Sequence, residues 1–197
     1  LRHIIKLYNA NRIKLITNFS RRYISDFIRI KEFINKKEFG KIQLVNMTCS
    51  RGIFHNGSHL VDLSVWYFGK PKKIKQISKK KSISYKGDFS GHLILEYDSF
   101  KVNIFSTDIK DLGNEEIDIV SDKFRLRVNN EGRLETLKVI NHPDYVNTKM
   151  FKLIKSKKIE KNFALQNLLH HSVNTIKGKV NYFKSIKDML LLYEIFS

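Results

Sequence analysis

The residues best suited to chemistry lie together between Ser50 and Asp62, in the run Ser50-Arg51-Gly52-Ile53-Phe54-His55-Asn56-Gly57-Ser58-His59-Leu60-Val61-Asp62. An imidazole changes charge near neutral pH, so His55 and His59 are candidates for general acid/base work on a hydroxyl or carbonyl. Ser58 is placed as a helix N-cap, which puts His59 in the first helical turn. There the helix dipole disfavours the imidazolium and favours a neutral base. Asp62, three residues on, falls on roughly the same face and could orient the imidazole. A metal site built from His55, His59 and Asp62 is a weaker reading. Asn56-Gly57-Ser58 breaks a continuous helix between the two histidines, and no second ligand cluster accompanies them. Taken alone, the motif also fits a solvent-facing turn with incidental histidines. His170 and His171 are read as ordinary surface histidines.

A strand must deliver this segment and a helix must receive it. Lys41 to Cys49 alternates as a strand does, and the helix opened by Ser58 stops at Gly69, with Pro71 beyond. Upstream, Leu1 to Tyr8 reads as the tail of a helix, Ile13 to Phe19 as a buried strand, and Tyr23 to Lys37 as an amphipathic helix. Downstream, strands are expected over Lys73–Tyr85, Gly91–Tyr97, Lys101–Thr107, Glu115–Val120, Lys123–Val128 and Arg133–Ile140. Asp98-Ser99-Phe100 turns one hairpin, and Asn129, Asn130 and Gly132 mark another turn. Such short connections imply antiparallel pairing. His142 to Lys161 reads as an irregular, lysine-rich excursion. Two helices are expected at the end, Asn162–Lys177 and one opened by Ser185 with Asp188. The fold class is therefore α+β: a large, mostly antiparallel sheet with helices on one face. Residues 1–20 precede it as the remnant of an α/β domain, and 21–197 form the second domain.

Composition narrows the function classes. With 42% hydrophobic and 28% charged residues, the chain suits a folded protein rather than a disordered one. No signal peptide is expected, and the longest apolar run, Met189 to Tyr193, falls far short of a membrane span. A single cysteine, Cys49, excludes an intrachain disulfide and fits a reducing, cytoplasmic setting. The 37 basic and 19 acidic residues give a formal charge of +18, which raises nucleic-acid binding as an alternative. The lysines are scattered over different elements, and no arginine-rich helix or aromatic RNA-binding signature accompanies them. Solvated surface lysines are the better reading.

Arg51-Gly-Ile-Phe-His55-Asn-Gly-Ser-His59-Leu-Val-Asp62, followed by Trp66-Tyr-Phe-Gly69-Lys-Pro71, resembles a signature of the Gfo/Idh/MocA oxidoreductases, which include glucose–fructose oxidoreductase and inositol dehydrogenase. Asn18-Phe-Ser-Arg21-Arg22-Tyr23 resembles the family segment that leaves the nucleotide domain for the second domain. The resemblance implies hydride transfer between NAD or NADP and a secondary alcohol of a sugar, cyclitol or sugar nucleotide. It implies His59 as the acid/base and Arg51, His55, Asn56 and Asp62 as substrate-binding residues. Asn18 and Arg22 would lie at the cofactor boundary, and the sheet would mediate a homo-oligomer. Three features depart from the family. His55 stands where aspartate is common, no Gly-x-Gly turn occurs, and the Glu-Lys-Pro motif with its lysine is missing. The expectation is a substrate-binding half, inactive alone, that is either a fragment or a truncated gene product. The alternative is a non-catalytic sugar-binding or association module.

Overall fold

The computed structural model describes residues 2–11, 13, 16–83, 85–109 and 111–179. Its centre is one eight-stranded sheet with spatial order β2-β3-β4-β1-β5-β6-β7-β8. The strands are β1 (Ile42–Ser50), β2 (Lys73–Lys81), β3 (Phe89–Glu96), β4 (Lys101–Thr107), β5 (Glu115–Ser121), β6 (Phe124–Val128), β7 (Arg133–Asn141) and β8 (Lys149–Lys158). All neighbours pair antiparallel except β1 and β4. That exception follows from chain order. β1 is reached by way of a helix rather than a hairpin, and it inserts between β4 and β5 with Val45 opposite both Val102 and Ile119.

Alternation along the central strands buries one face completely. Val45, Met47, Leu95, Val102, Ile104, Ile117 and Ile119 point into one core with Phe27, Ile30 and Ile34 of α2 (Ser25–Ile34). Leu60, Leu63 and Tyr67 of α3 (Ser58–Phe68) complete it. Ser64 of α3 touches Met47 of β1 at 3.4 Å, and Lys31 of α2 sits over the Trp66 ring at 4.5 Å, so the helices pack side by side on this face. The opposite face carries polar rows. Asn103 Nδ2 donates to Asn46 Oδ1 at 3.0 Å, and Arg125 grips Asp118 with two hydrogen bonds. Leu44 and Phe105 stand exposed among them.

The hairpin at residues 97–100 and the turn at 129–132 form as the sequence implies, closed by Tyr97 N–H to Phe100 O and Gly132 N–H to Asn129 O. Two expectations change. The segment from His142 to Lys161 is not wholly irregular, because Lys149–Lys158 is β8, paired along β7. Its lysines obscure the strand pattern, and lysine is what an edge strand uses to discourage further pairing. Residues 16–19 are irregular rather than strand, while 14 and 15 lie outside the described residues. The helix expected at Asn162–Lys177 forms as α4 (Ala164–Ile176), with Leu165, Leu169, Val173 and Ile176 exposed. The helix expected after Ser185 lies outside the described residues. At the start, α1 spans Arg2–Ala10. Among the described residues, no helix is long and apolar enough to cross a membrane.

Candidate functional site

The site is built where β1 leaves the sheet. Arg51 has φ 66° and Gly52 φ 86°, so two successive left-handed residues turn the chain sharply into a helix. That helix starts at Ile53, not Ser58. A π-helical turn, Ile53–Gly57, runs without a break into α3. Its cap comes from far along the chain: the buried Asp88 carboxylate accepts the N–H groups of Phe54 and His55, both at 2.9 Å, and of Phe89 at 2.6 Å. Ser58 is therefore inside the helix, its hydroxyl donating back to His55 O at 3.1 Å. Asn56-Gly57-Ser58 does not interrupt it, and His59 stands past its first turn.

His59 is half-buried, with Phe19 edge-on against its ring at 5.5 Å between centroids. Its Nδ1 is buried and has no hydrogen-bond partner. Burial pushes its pKa down to about 4, the Arg21 cation and His55 press the same way, and Glu115 opposes them. The imidazole is thus neutral at physiological pH, as the sequence suggested, but desolvation rather than a helix dipole makes it so. Arg21 and Glu115 are themselves bound to each other by two hydrogen bonds, one of 2.7 Å from Nε.

Asp62 does not serve as the imidazole's hydrogen-bond partner. It is 1% exposed, and Arg22 donates to both its oxygens, from Nε at 2.9 Å and Nη2 at 2.7 Å. This pair ties the 3-10 turn Ser20–Tyr23 to α3. His55 is exposed and stacks on Tyr85 at 4.2 Å. Arg51 and Asn56 are anchored to backbone, by Nε to Leu112 O at 3.3 Å and Nδ2 to Ser50 O at 2.9 Å. Both line a cavity of about 220 Å³ with Asn114, Glu115, Asn130 and Lys161. Asn18 is exposed, one residue before Phe19. His170 is exposed, whereas His171 is half-buried and packs against Tyr23. Cys49 is fully buried, which pushes its thiol up to about 12 and leaves it inert. Among the described residues, no three His, Cys, Asp or Glu side chains gather as a metal site would require. Sequence reasoning missed Arg21, Asp88, Asn114 and Glu115. Only Arg21 lay within a motif it had noticed.

A mostly antiparallel sheet with two helices on one face, and a polar site at the strand ends beside them, defines an α+β domain rather than a doubly wound α/β one. No protein-family model matches the sequence, and no curated protein does. Solved structures that resemble it include oxidoreductases and dehydrogenases. A protein assigned as an oxidoreductase from Bacillus subtilis superposes with a TM-score of 0.72 at 14% identity, over 99% of this chain and 65% of that one. An oxidoreductase from Agrobacterium radiobacter, solved with NAD+, L-tartaric acid and magnesium, gives 0.69 at 13% identity over 98% and 64%. A protein assigned as a myo-inositol dehydrogenase from Sinorhizobium meliloti gives 0.67 at 16% identity over 98% and 64%. The fold is the one that the Gfo/Idh/MocA resemblance implies, and the chain spans less than two thirds of each of these proteins.

Proposed function

We propose that this chain is the substrate-side portion of a nicotinamide-dependent oxidoreductase acting at a secondary alcohol of a sugar, cyclitol or sugar nucleotide. The observation that carries the reading is His59: an imidazole held neutral by burial, with its Nδ1 unpartnered, and acted on by the charge of Glu115, which lines the polar cavity at the strand ends. A buried ring nitrogen left without a partner, whichever tautomer the imidazole adopts, is costly unless a ligand supplies a donor or an acceptor. A substrate hydroxyl is such a donor, and a neutral imidazole can take its proton as the carbon is oxidised or return it on reduction. NAD or NADP, when bound, supplies the hydride chemistry. The side chains present here fit the reacting end. Phosphate-binding glycines have no counterpart in this sequence, so a dinucleotide-binding portion must accompany the chain for turnover. His55, Asn56 and Arg51 would contact the substrate, and Asn18 would approach the cofactor. The Arg22–Asp62 pair would fix the crossover between them. The outer face of the sheet, with exposed Leu44 and Phe105, is the surface offered for self-association. The cytoplasm is the compartment proposed.

The test is His59→Ala in a protein carrying both portions. Turnover should fall by about two to four orders of magnitude, while thermal unfolding and dinucleotide binding change little. A wild-type rate in that variant would sink the assignment.

A further inference from the structure

The cavity beside the Arg21–Glu115 pair holds more positive charge than the fold neutralises. Segments far apart in sequence build it: Arg51 and Asn56 after β1, Asn114 and Glu115 at the start of β5, Asn130 in the β6–β7 turn, and Lys161 after β8. Glu115, the one acid among the described residues of the wall, is matched by Arg21. Arg51 and Lys161 form no ion pair among the described residues.

Arg51 is held there deliberately. It adopts φ 66°, a conformation that costs a residue with a β-carbon and persists only where its surroundings impose it. Its Nε donates to Leu112 O, which fixes the stem and leaves both terminal guanidinium nitrogens to a ligand. A guanidinium presents paired donors that match a phosphate or a carboxylate. Asn114 supplies an independent sign of a ligand. Its side-chain oxygen is buried without a hydrogen-bond partner, while its backbone N–H is fixed by Ser50 Oγ at 3.0 Å. Such an acceptor takes a donor from outside the chain, and a ligand hydroxyl can replace water in that role. The volume of about 220 Å³ takes a substituent and part of a ring rather than a whole nucleotide. Glu115 links the cavity to His59, because its charge acts on that imidazole.

We propose that this cavity binds an anionic substituent, a phosphate or a carboxylate, on the polyhydroxylated substrate, gripped between Arg51 and Lys161, with Asn114 accepting from an adjacent hydroxyl. The proposal rests on the reading of His59 as the acid/base of the same site. It distinguishes this chain's substrate from an uncharged sugar or cyclitol.

The test is NMR titration of the chain at about 0.15 M salt, where the long-range attraction of a +18 protein is largely screened. The probes are inorganic phosphate and acetate, added separately. The preferred anion should saturably shift the Arg51 Nε–H signal, the Asn114 side-chain amide and the His59 ring. Arg51→Gln and Lys161→Gln should each weaken that binding about tenfold, the order expected for losing one charge-assisted contact. Lys80→Gln, on the exposed edge strand, should not. The anion that binds tighter names the substituent. Shifts spread evenly over the lysine-rich strands and surviving Arg51→Gln would overturn the proposal. So would binding at Arg51 that leaves the His59 titration unmoved, since the anion would then lie outside the reacting site. A wild-type turnover in His59→Ala would instead remove the acid/base reading and leave the phosphate and acetate result standing.

Discussion

Replacing Gly52 with alanine should be far more damaging than a turn position by itself implies, and Asp88 is the reason. A β-carbon built on Gly52 lies 2.2 Å from Asp88 Oδ2 and 2.4 Å from its Cγ, well inside any real contact. The left-handed φ of 86° adds roughly 1–2 kcal/mol for a residue with a side chain. Asp88 cannot retreat freely, because it caps the N–H groups of Phe54, His55 and Phe89. Taking roughly 1 kcal/mol for each lost cap, displacement of the carboxylate costs about 2–3 kcal/mol. Gly52→Ala should therefore cost about 3–5 kcal/mol, and Asp88→Ala alone about 2–3 kcal/mol. With Asp88 already truncated the clash disappears, and Gly52→Ala should add only the backbone cost of about 1–2 kcal/mol. The double variant should thus lie about 2–3 kcal/mol above the sum of the single effects in stability. Urea unfolding of the four proteins, followed by near-ultraviolet circular dichroism and compared at constant m, measures this coupling. Additive effects within about 0.5 kcal/mol would show that Asp88 does not support the turn.

Two further perturbations probe the groups around the imidazole. The native His59 binds its proton less readily than the unfolded one, so its contribution to stability is full above about pH 6.5 and is lost as the pH falls toward about 4. The difference corresponds to about 3 kcal/mol for a dry site, and to about 1–2 kcal/mol once solvent screening of the half-exposed ring is allowed for. His59→Phe should flatten the stability profile by that amount between those limits. A histidine NMR midpoint for His59 near 6.5 would contradict the burial argument. Arg22→Ala strips the guanidinium from a carboxylate that is 1% exposed and should cost about 3–5 kcal/mol, with part recovered in Arg22→Ala/Asp62→Ala. A loss below about 1 kcal/mol in thermal or urea unfolding would mean the pair is not what fastens the crossover.

What could be read from the sequence was what short-range rules govern. The end of α3 at Gly69 and Pro71, the tight turns at 97–100 and 129–132, and the alternation of β1 and β3 to β7 follow from residues within a few positions of one another. Those signals suffice for an α+β fold with a helix-covered sheet. β8 was missed because its lysines erase the alternation, and pairing with β7 rather than its own pattern makes it a strand. The start of the helix bearing His59 was misplaced for a related reason. A serine at 58 is a sufficient local cap, but the cap in use is Asp88, 34 residues from Phe54, and nothing in the run 50–62 announces it.

The electrostatics of the site show the same limit more sharply. Local reasoning reached a neutral His59 through the helix dipole, yet the helix begins earlier and its first donors are occupied by Asp88. The neutrality comes instead from burial and from the cation at Arg21, partly offset by Glu115, which lies 94 residues from Arg21 in sequence. Arg21 and Glu115 bind each other and act on the imidazole in opposite directions, and desolvation is the largest of the causes. A site of this kind does not need a carboxylate at Asp62 or at position 55 to hold its base neutral. Asp62 is consequently available to brace Arg22, and a histidine can stand at 55 without changing the protonation state on which the proposed chemistry depends.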